Sequence, residues 1–292
     1  MFTRLSNTKV NIRSFYDSVD INFAFEMTSR EKWHSESKIE LQSFFEYDRQ
    51  GCFIAELDNE KAGICIATAY SNNGFIGELI VSPKFRKKGI GKALMQRAIQ
   101  FLQFKNVQNI YLDGVINAIP LYKKLGFQEI CRSLRLFGEI EPSINPSVSE
   151  INEHDLPEIL NIDRNCFNED RSYFLIKRFT NYPHLCLKFS INQSIQAYLF
   201  GREGNGGWIS VGPIVSLSGV SGTIMLLKTF QERIGYQPFS IGVLEKQKEL
   251  IFQLIQCGLK PNPEPPMRMV LGIERNNFED QRCNAIGSPA KG

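Results

Sequence analysis

Along the first 140 residues, apolar runs of strand length alternate with stretches in which apolar residues recur every three or four positions. Val10–Arg13 predicts a short strand, and Val19–Met27 and Lys38–Glu46 predict helices. Three largely apolar runs follow: "CFIAEL" (52–57), "GICIATAY" (63–70) and "FIGELIV" (75–81). They are separated by the polar turn 58–61 and by "SNNG" (71–74), which carries the Asn-Gly signal of a tight turn. Beyond Gly89, the residues Ile90, Leu94, Ala98, Phe101 and Leu102 fall on one helical face. "NIYLDGV" (109–115) predicts a strand. Pro120–Leu125 predicts a short helix with proline in its first turn, where the missing N–H costs nothing. "FQEICRSLRLF" (127–137) closes the series as a strand.

The stretch 138–148, with two prolines and small polar residues, reads as a linker. After it the same order returns: helices at 155–166 and 171–180, a hairpin of 185–191 with 194–202, and a turn at 204–207. A strand at 208–215, a helix at 223–234, a strand at 239–244, a helix at 246–256 and a strand at 267–272 complete it. Val81 corresponds to Val211, Gly91 to Gly222, Gly126 to Gly258 and Arg135 to Arg268, at offsets of 130, 131, 132 and 133 positions. An offset that grows by single residues is what a duplication with small insertions leaves behind. The fold class expected is therefore mixed α/β in two tandem domains, 1–140 and 149–292, joined by a linker at 141–148. Residues 276–292 read as a disordered tail.

Composition narrows the function classes. A chain of 292 residues suits about two domains. Its 42% hydrophobic and 22% charged residues are those of a globular protein. A net charge of +3 does not argue for nucleic acid, and the basic patch Lys84–Lys92 is short, with Phe85 as its one aromatic. No apolar run reaches the ~18 residues of a membrane span, and the first residues lack the apolar core of a signal peptide. The seven cysteines are scattered without a CxxC pair, which points to reduced thiols in a cytoplasmic protein. Three dispersed histidines without HxxxH spacing give no reason to expect a metal.

The chemistry concentrates at "VSPKFRKKGIGKALMQ" (81–96), where a strand hands over to a helix. A Rossmann fingerprint needs a third glycine where Leu94 stands, and a Walker A loop needs other residues than Arg86 and Ala93. What remains is R-x-x-G-x-G, Arg86 to Gly91. The first N–H groups of a helix have no internal partner and lie at the positive end of its dipole. Glycines at 89 and 91 bare that backbone, and Arg86, Lys87 and Lys88 surround it with charge. On these residues alone, a pyrophosphate cradle and a solvated basic helix start both stand.

The wider context decides between them. "GELIVSPKFRKKGIGKALM" (77–95), followed by "AIPLYKKLGF" (118–127), resembles the two signature motifs of the GCN5-related N-acetyltransferases (GNAT), and the resemblance spans Val10 to about Gly138. With "KWHS" (32–35) and "YLDGV" (111–115), the chain is similar to a tandem bacterial subgroup. "NCFNEDRSYFL" (165–175), "VGPIV" (211–215) and "MRMVLG" (267–272) are similar to the landmarks of that subgroup's divergent second domain.

The resemblance implies, for each domain, a central and mostly antiparallel sheet flanked by helices. It further implies acetyl-CoA as cosubstrate, no metal, and direct transfer to a primary amine in a ternary complex. It places the backbone of Leu79, Ile80 and Val81 along the pantetheine arm. The amides of Lys87, Lys88, Gly89, Ile90 and Gly91, with Arg86 and Lys92, would hold the pyrophosphate. The N–H of Leu79 would meet the acyl carbonyl, and Tyr122 would give a proton to the departing thiolate. Glu78 or Asp113 would serve as base. Val115 stands where many relatives have an asparagine, with Asn117 displaced by two positions. Trp33 and Tyr70 would line the pocket of an acceptor, either a small molecule or a protein lysine.

The second copy departs from this pattern: its cradle reads Ser216-Leu217-Ser218-Gly219-Val220-Ser221 without a basic residue, and Leu254 replaces Tyr122. It reads as a degenerate scaffold, a substrate-binding half, or a site that binds acetyl-CoA by backbone alone. The alternative for the whole chain is a non-catalytic acetyl-CoA sensor or scaffold acting through that copy.

Overall fold

The computed structural model of the protein describes residues 10–272 and 280–292. In the first half the elements run β1 (Asn11–Ser14), α1 (Ser18–Arg30), α2 (Lys38–Asp48), β2 (Cys52–Leu57), β3 (Glu60–Ala69) and β4 (Asn73–Val81). They continue with α3 (Ile90–Phe104), β5 (Asn109–Gly114), α4 (Ile119–Lys124) and β6 (Gln128–Gly138). The second half repeats that order as β7 (Val148–Glu150), α5 (Leu156–Phe167), α6 (Ser172–Asn181), β8 (Cys186–Ile191), β9 (Ser194–Glu203) and β10 (Ile209–Ser216). Then come α7 (Gly219–Ile234), β11 (Phe239–Leu244), α8 (Lys248–Gln256), β12 (Lys260–Pro261), β13 (Met267–Leu271) and β14 (Cys283–Ala285).

The apolar periodicities find their places. The face of α3 buries Ile90, Leu94, Met95, Ala98, Ile99, Phe101 and Leu102 in one core with Phe53, Ala55, Cys65 and Ile76 of the sheet. Each large side chain so buried stabilises by about 1.5–3 kcal/mol. Asp17 and Ser37 cap α1 and α2 by accepting from Val19 N and Glu40 N. Gly126 and Gly258 both carry positive φ after a short helix, and Phe127 N and Leu259 N donate to the carbonyls of Tyr122 and Leu254 at the same 3.1 Å. The duplication is thus visible down to single hydrogen bonds, and Leu254 does occupy the place of Tyr122. The equivalence of Val81 with Val211 is corrected: β4 ends at Val81, whereas its counterpart β10 ends at Ser216.

The strands form one sheet in the order β1-β2-β3-β4-β5-β13-β6-β11-β10-β9-β8-β7, with β12 against β6 and β14 against β10. The pairings are antiparallel except for β4 with β5 and β10 with β11. Near the middle the two halves exchange strands. β13, from the second half, fills the slot between β5 and the first part of β6. The second part of β6, 133–138, reciprocally fills the slot between β11 and β12. The two repeat-related arginines, Arg135 and Arg268, converge there on Asp113 of β5.

Residues 276–279 of the expected tail lie outside the described residues, but 280–292 correct the expectation of disorder: they thread between the halves. Ser216 N donates to Arg282 O, Ile286 N to Gly242 O (both 3.0 Å), and Tyr70 OH to Lys291 O at 2.9 Å. The run of small residues that reads as flexible is small because of close packing. A Cβ on Gly77 of β4 would come within 2.4 Å of the Cβ of Ala290. The strands β7, β12 and β14, of two or three residues, are too short to leave a periodicity and were not expected. Among the described residues no helix is long and apolar enough to cross a membrane.

Candidate active site

β4 and β5 run side by side only from Asn73–Phe75 against Asn109–Tyr111, and then diverge. On the other flank of β4, Ile64 faces Ile80 and Ile66 faces Gly77, so Glu78 and Leu79 together oppose the single residue Cys65. That bulge holds Glu78 at φ +51°, a left-handed conformation that costs a non-glycine residue about 1 kcal/mol and that bends the strand out of line. The result is a cleft between β4 and β5, opening toward the start of α3.

The eight residues 82–89 link β4 to α3, and Lys87 (φ +64°) and Gly89 (φ +81°) both turn left-handed within them. Among the described residues no side chain caps α3, and the amides from Lys87 to Lys92 meet no acceptor. Successive N–H groups turned to one side make an anion-binding concavity at the positive end of a helix dipole. A Cβ on Gly89 would meet nothing within 4 Å, so the space over these amides is open. This geometry fits the pyrophosphate of a coenzyme A, and the diverging strands fit its extended arm.

Cradle and cleft belong to one cavity of about 1130 Å³. Leu79, Ile80, Val81, Arg86, Lys87, Gly89, Ile90, Gly91, Lys92 and Asn117 line it, together with Glu78, Tyr122 and Trp33. Lys88 does not; its ammonium lies over the Phe85 ring, 5.5 Å from the centroid. Arg86 is engaged by the protein itself: its Nε donates to Val81 O at 2.9 Å, which occupies that carbonyl, and its guanidinium pairs with Glu31. Lys84 pairs with Glu60, so the basic patch is partly neutralised.

The catalytic candidates separate. Tyr122 is 6% exposed, and burial raises its phenol above the usual range, so it is protonated at neutral pH. Glu78 is 5% exposed, and its Oε2 has no hydrogen-bond partner among the described residues. Burial pushes its carboxyl well above the ordinary range; Glu36 adds to the shift, while Arg202 and Lys291 oppose it. A carboxylate with raised proton affinity beside a cavity is what a base working near neutral pH requires.

Asp113 is a correction. Its carboxylate accepts from Ser133 Oγ (2.7 Å), Arg135 (2.8 Å) and Arg268. Burial opposes its ionisation, but the two arginines prevail and hold it down to about 2. It fastens the exchanged strands and is a poor proton acceptor. Tyr70 is a second correction, for it packs in the core among Tyr47, Phe75, Phe167 and Phe174 away from the cavity.

The opposite wall comes from the second half, for which a substrate-binding half is one of the three readings the sequence offers, though without naming its residues. Trp208 is held between His34 and Phe137 (centroids 5.3 and 4.8 Å), and its Nε1 donates to Ser240 Oγ at 2.9 Å. Behind Glu78, Glu40 accepts from Arg178 (2.9 Å) and Lys291 (2.7 Å), and Glu36 pairs with Arg202 at 3.4 Å. Burial works against the Glu40 charge, yet Arg178, Lys291 and Arg202 hold its carboxyl below the usual range. This cluster joins positions up to 251 residues apart, and no local pattern could have announced it.

The second copy's groove is built differently. β10 and β11 pair at Ile209–Val211 against Phe239–Ile241 and then part, as β4 and β5 do. Here the gap is filled by the chain itself: β14 pairs with β10 through Ile214 with Ala285 and Val215 with Cys283. Only Leu217 and Ser218 separate β10 from α7, so there is no loop to form a cradle. Ser216 and Ser221 spend their hydroxyls on the carbonyls of Gly219 and Ser218.

Both halves are similar to known proteins. Residues 18–127 match the model of the Acetyltransferase (GNAT) family, and residues 159–283 match that of an Acetyltransferase (GNAT) domain. The chain is 35% identical over 63 residues to a glucosamine 6-phosphate N-acetyltransferase of Trypanosoma brucei brucei, covering 22% of this chain and 43% of that protein. It is 33% identical over 94 residues to an N-alpha-acetyltransferase of Sulfurisphaera tokodaii, covering 27% and 56%. The chain thus spans about half the length of the curated relatives it matches.

Two solved structures share the fold over nearly the whole chain. One is a putative acetyltransferase from Pyrococcus horikoshii (TM-score 0.81, 21% identity, covering 100% of this chain and 99% of that one). The other is a tandem GNAT protein from the clavulanic acid biosynthesis pathway (TM-score 0.61, 8% identity, covering 90% and 98%). With one GNAT domain matched in each half and the duplicated sheet common to both, the chain belongs to the GNAT acetyltransferase family as a tandem two-domain member.

Proposed function

We propose that this protein is an acetyl-CoA-dependent N-acetyltransferase whose first half binds the coenzyme and performs the transfer, while the second half walls the acceptor side of the cavity. The observation that carries the reading is the continuity of one cavity from the uncapped start of α3, along the parted strands, to Glu78 and Tyr122. When bound, acetyl-CoA supplies an acetyl group activated as a thioester.

The chain's residues would divide the remaining work. The amides of Lys87 to Lys92 hold the pyrophosphate, aided by the charge of Lys87 and Lys92. The bulge at Glu78 turns the following peptide, so that Leu79 N–H is a candidate donor to the oxygen on which charge develops. Glu78 removes a proton from the acceptor's ammonium, directly or through water. Tyr122 keeps its proton until the thiolate leaves and then gives it up from Oη. Glu78 and Tyr122 thereby take opposite roles, one buried group able to gain a proton and one able to lose it.

Coenzyme thiol release in the presence of an amine acceptor tests this reading. Tyr122→Phe is expected to lose turnover while keeping acetyl-CoA affinity. A protein that bound acetyl-CoA and showed no transfer to lose would instead be a sensor, a role for which the filled groove of the second half offers no coenzyme site.

A further inference from the structure

Two buried oxygens on the cavity wall have no hydrogen-bond partner among the described residues. One is Oε2 of Glu78; the other is Oγ of Ser288, in the segment that threads between the halves. Both residues line the cavity, and both are more than nine-tenths buried, at 5% and 3% exposure. Ala290 packs on Gly77, which brings the 286–290 segment alongside the bulge of β4 that carries Glu78. A buried hydroxyl without a partner weakens the fold, and a ligand that supplies the missing hydrogen bond recovers that loss.

The acceptor side is also closed by the chain's own backbone. The end of α1 and the loop that follows it are stitched to the second half: Asn205 N donates to His34 O at 2.8 Å, Arg202 Nε to Ser35 O at 3.1 Å, and Asn205 Nδ2 to Ser29 Oγ at 3.0 Å. From below, Arg202 Nη1 ties the 286–289 segment by donating to Gly287 O at 2.6 Å. An extended peptide presenting a lysine needs a free channel for its main chain. Here Arg202, Trp208 and the 286–289 segment stand along that side of the cavity.

We infer that the acceptor is a small primary amine carrying a second hydrogen-bonding group such as a hydroxyl. Glu78 receives its amine and Ser288 its second group. This inference rests on the acetyltransferase reading and adds the acceptor class and a specificity residue contributed by the second half.

The test supplies the full chain with acetyl-radiolabelled acetyl-CoA and a cell extract divided by ultrafiltration into metabolites and macromolecules. The expected result is label in the metabolite fraction, dependent on the protein. Ser288→Ala should raise the KM for the labelled amine roughly tenfold, as expected for one lost hydrogen bond. Ser288→Trp should abolish transfer by filling the pocket. Acetyl-CoA affinity should be unchanged in both variants, which also shows that they fold. Label in the macromolecules with none in the metabolites would overturn the inference and leave the acetyltransferase reading intact. Transfer to metabolites that is indifferent to both substitutions would remove Ser288 from the site. Label in neither fraction would overturn the acetyltransferase reading, and this inference with it.

Discussion

The two halves of this molecule contain the same gap, and they treat it in opposite ways. In the first, β4 and β5 part after Phe75 and the space runs out to an uncapped helix. In the second, β10 and β11 part after Val211, and β14 takes the space, with Arg282 O and Ile286 N completing the ladder. The linking segments differ to match: 82–89 is a loop able to wrap an anion, whereas Leu217 and Ser218 form a direct junction. Loss of the basic residues in the second copy is therefore one part of a larger change, in which the groove was given over to the chain's own backbone. A parted pair of strands must have its hydrogen-bonding groups satisfied by something; the second half uses a strand, and in the function proposed above the first half uses a coenzyme for the same purpose.

The comparison can be broken most forcefully at the chemistry. Tyr122→Phe should lower kcat by about 10²- to 10⁴-fold, the usual range for losing a general acid, with acetyl-CoA affinity unchanged. If turnover stays within a few-fold of wild type, another group supplies the proton. Next comes Asp113→Ala, which removes the carboxylate on which Arg135 and Arg268 converge where the halves exchange strands. Breaking a buried ion pair by deleting one partner should cost about 3–5 kcal/mol in denaturant unfolding. If Asp113 were the base, the same variant would lose turnover with stability intact.

A matched pair of substitutions sharpens the difference between the cradles. Gly89 and Gly219 both have positive φ and open space where a Cβ would sit. Gly89→Glu should weaken acetyl-CoA binding by at least an order of magnitude, about 1.4 kcal/mol or more, and Gly219→Glu should leave it unchanged. Equal losses would mean that both cradles are loaded.

The smallest effect concerns stability and carries a definite sign. The folded-state pKa of Glu78 is raised above its unfolded value of ~4.3, so its favourable contribution is complete only below that value and is lost as pH rises toward the folded pKa. Glu78→Gln should thus melt higher than wild type at pH 7, by an amount that shrinks toward pH 4, while losing activity. A variant that melts lower at pH 7 would show that the carboxyl is better accommodated than its burial implies.

Much of this was legible in the sequence, for physical reasons that also mark where legibility ends. Strong periodicities placed β2 and β11 at their observed bounds and most other elements within a few residues, because burial of one face dictates the spacing. The glycine turn before α3 could be read because adjacent residues build it. Asp113 was misread as a base because its arginine partners lie 22 and 155 residues away on exchanged strands. Residues 286–292 were misread because small residues signal flexibility in isolation, and close packing when a neighbouring strand is a few ångströms off.

The central claim is that one groove takes acetyl-CoA and the other is filled from within. Calorimetric titration of acetyl-CoA into the full chain tests it most directly. The account predicts a single site per chain, lost in Gly89→Glu and retained in Gly219→Glu. Two sites, or one site that survives Gly89→Glu, would contradict it.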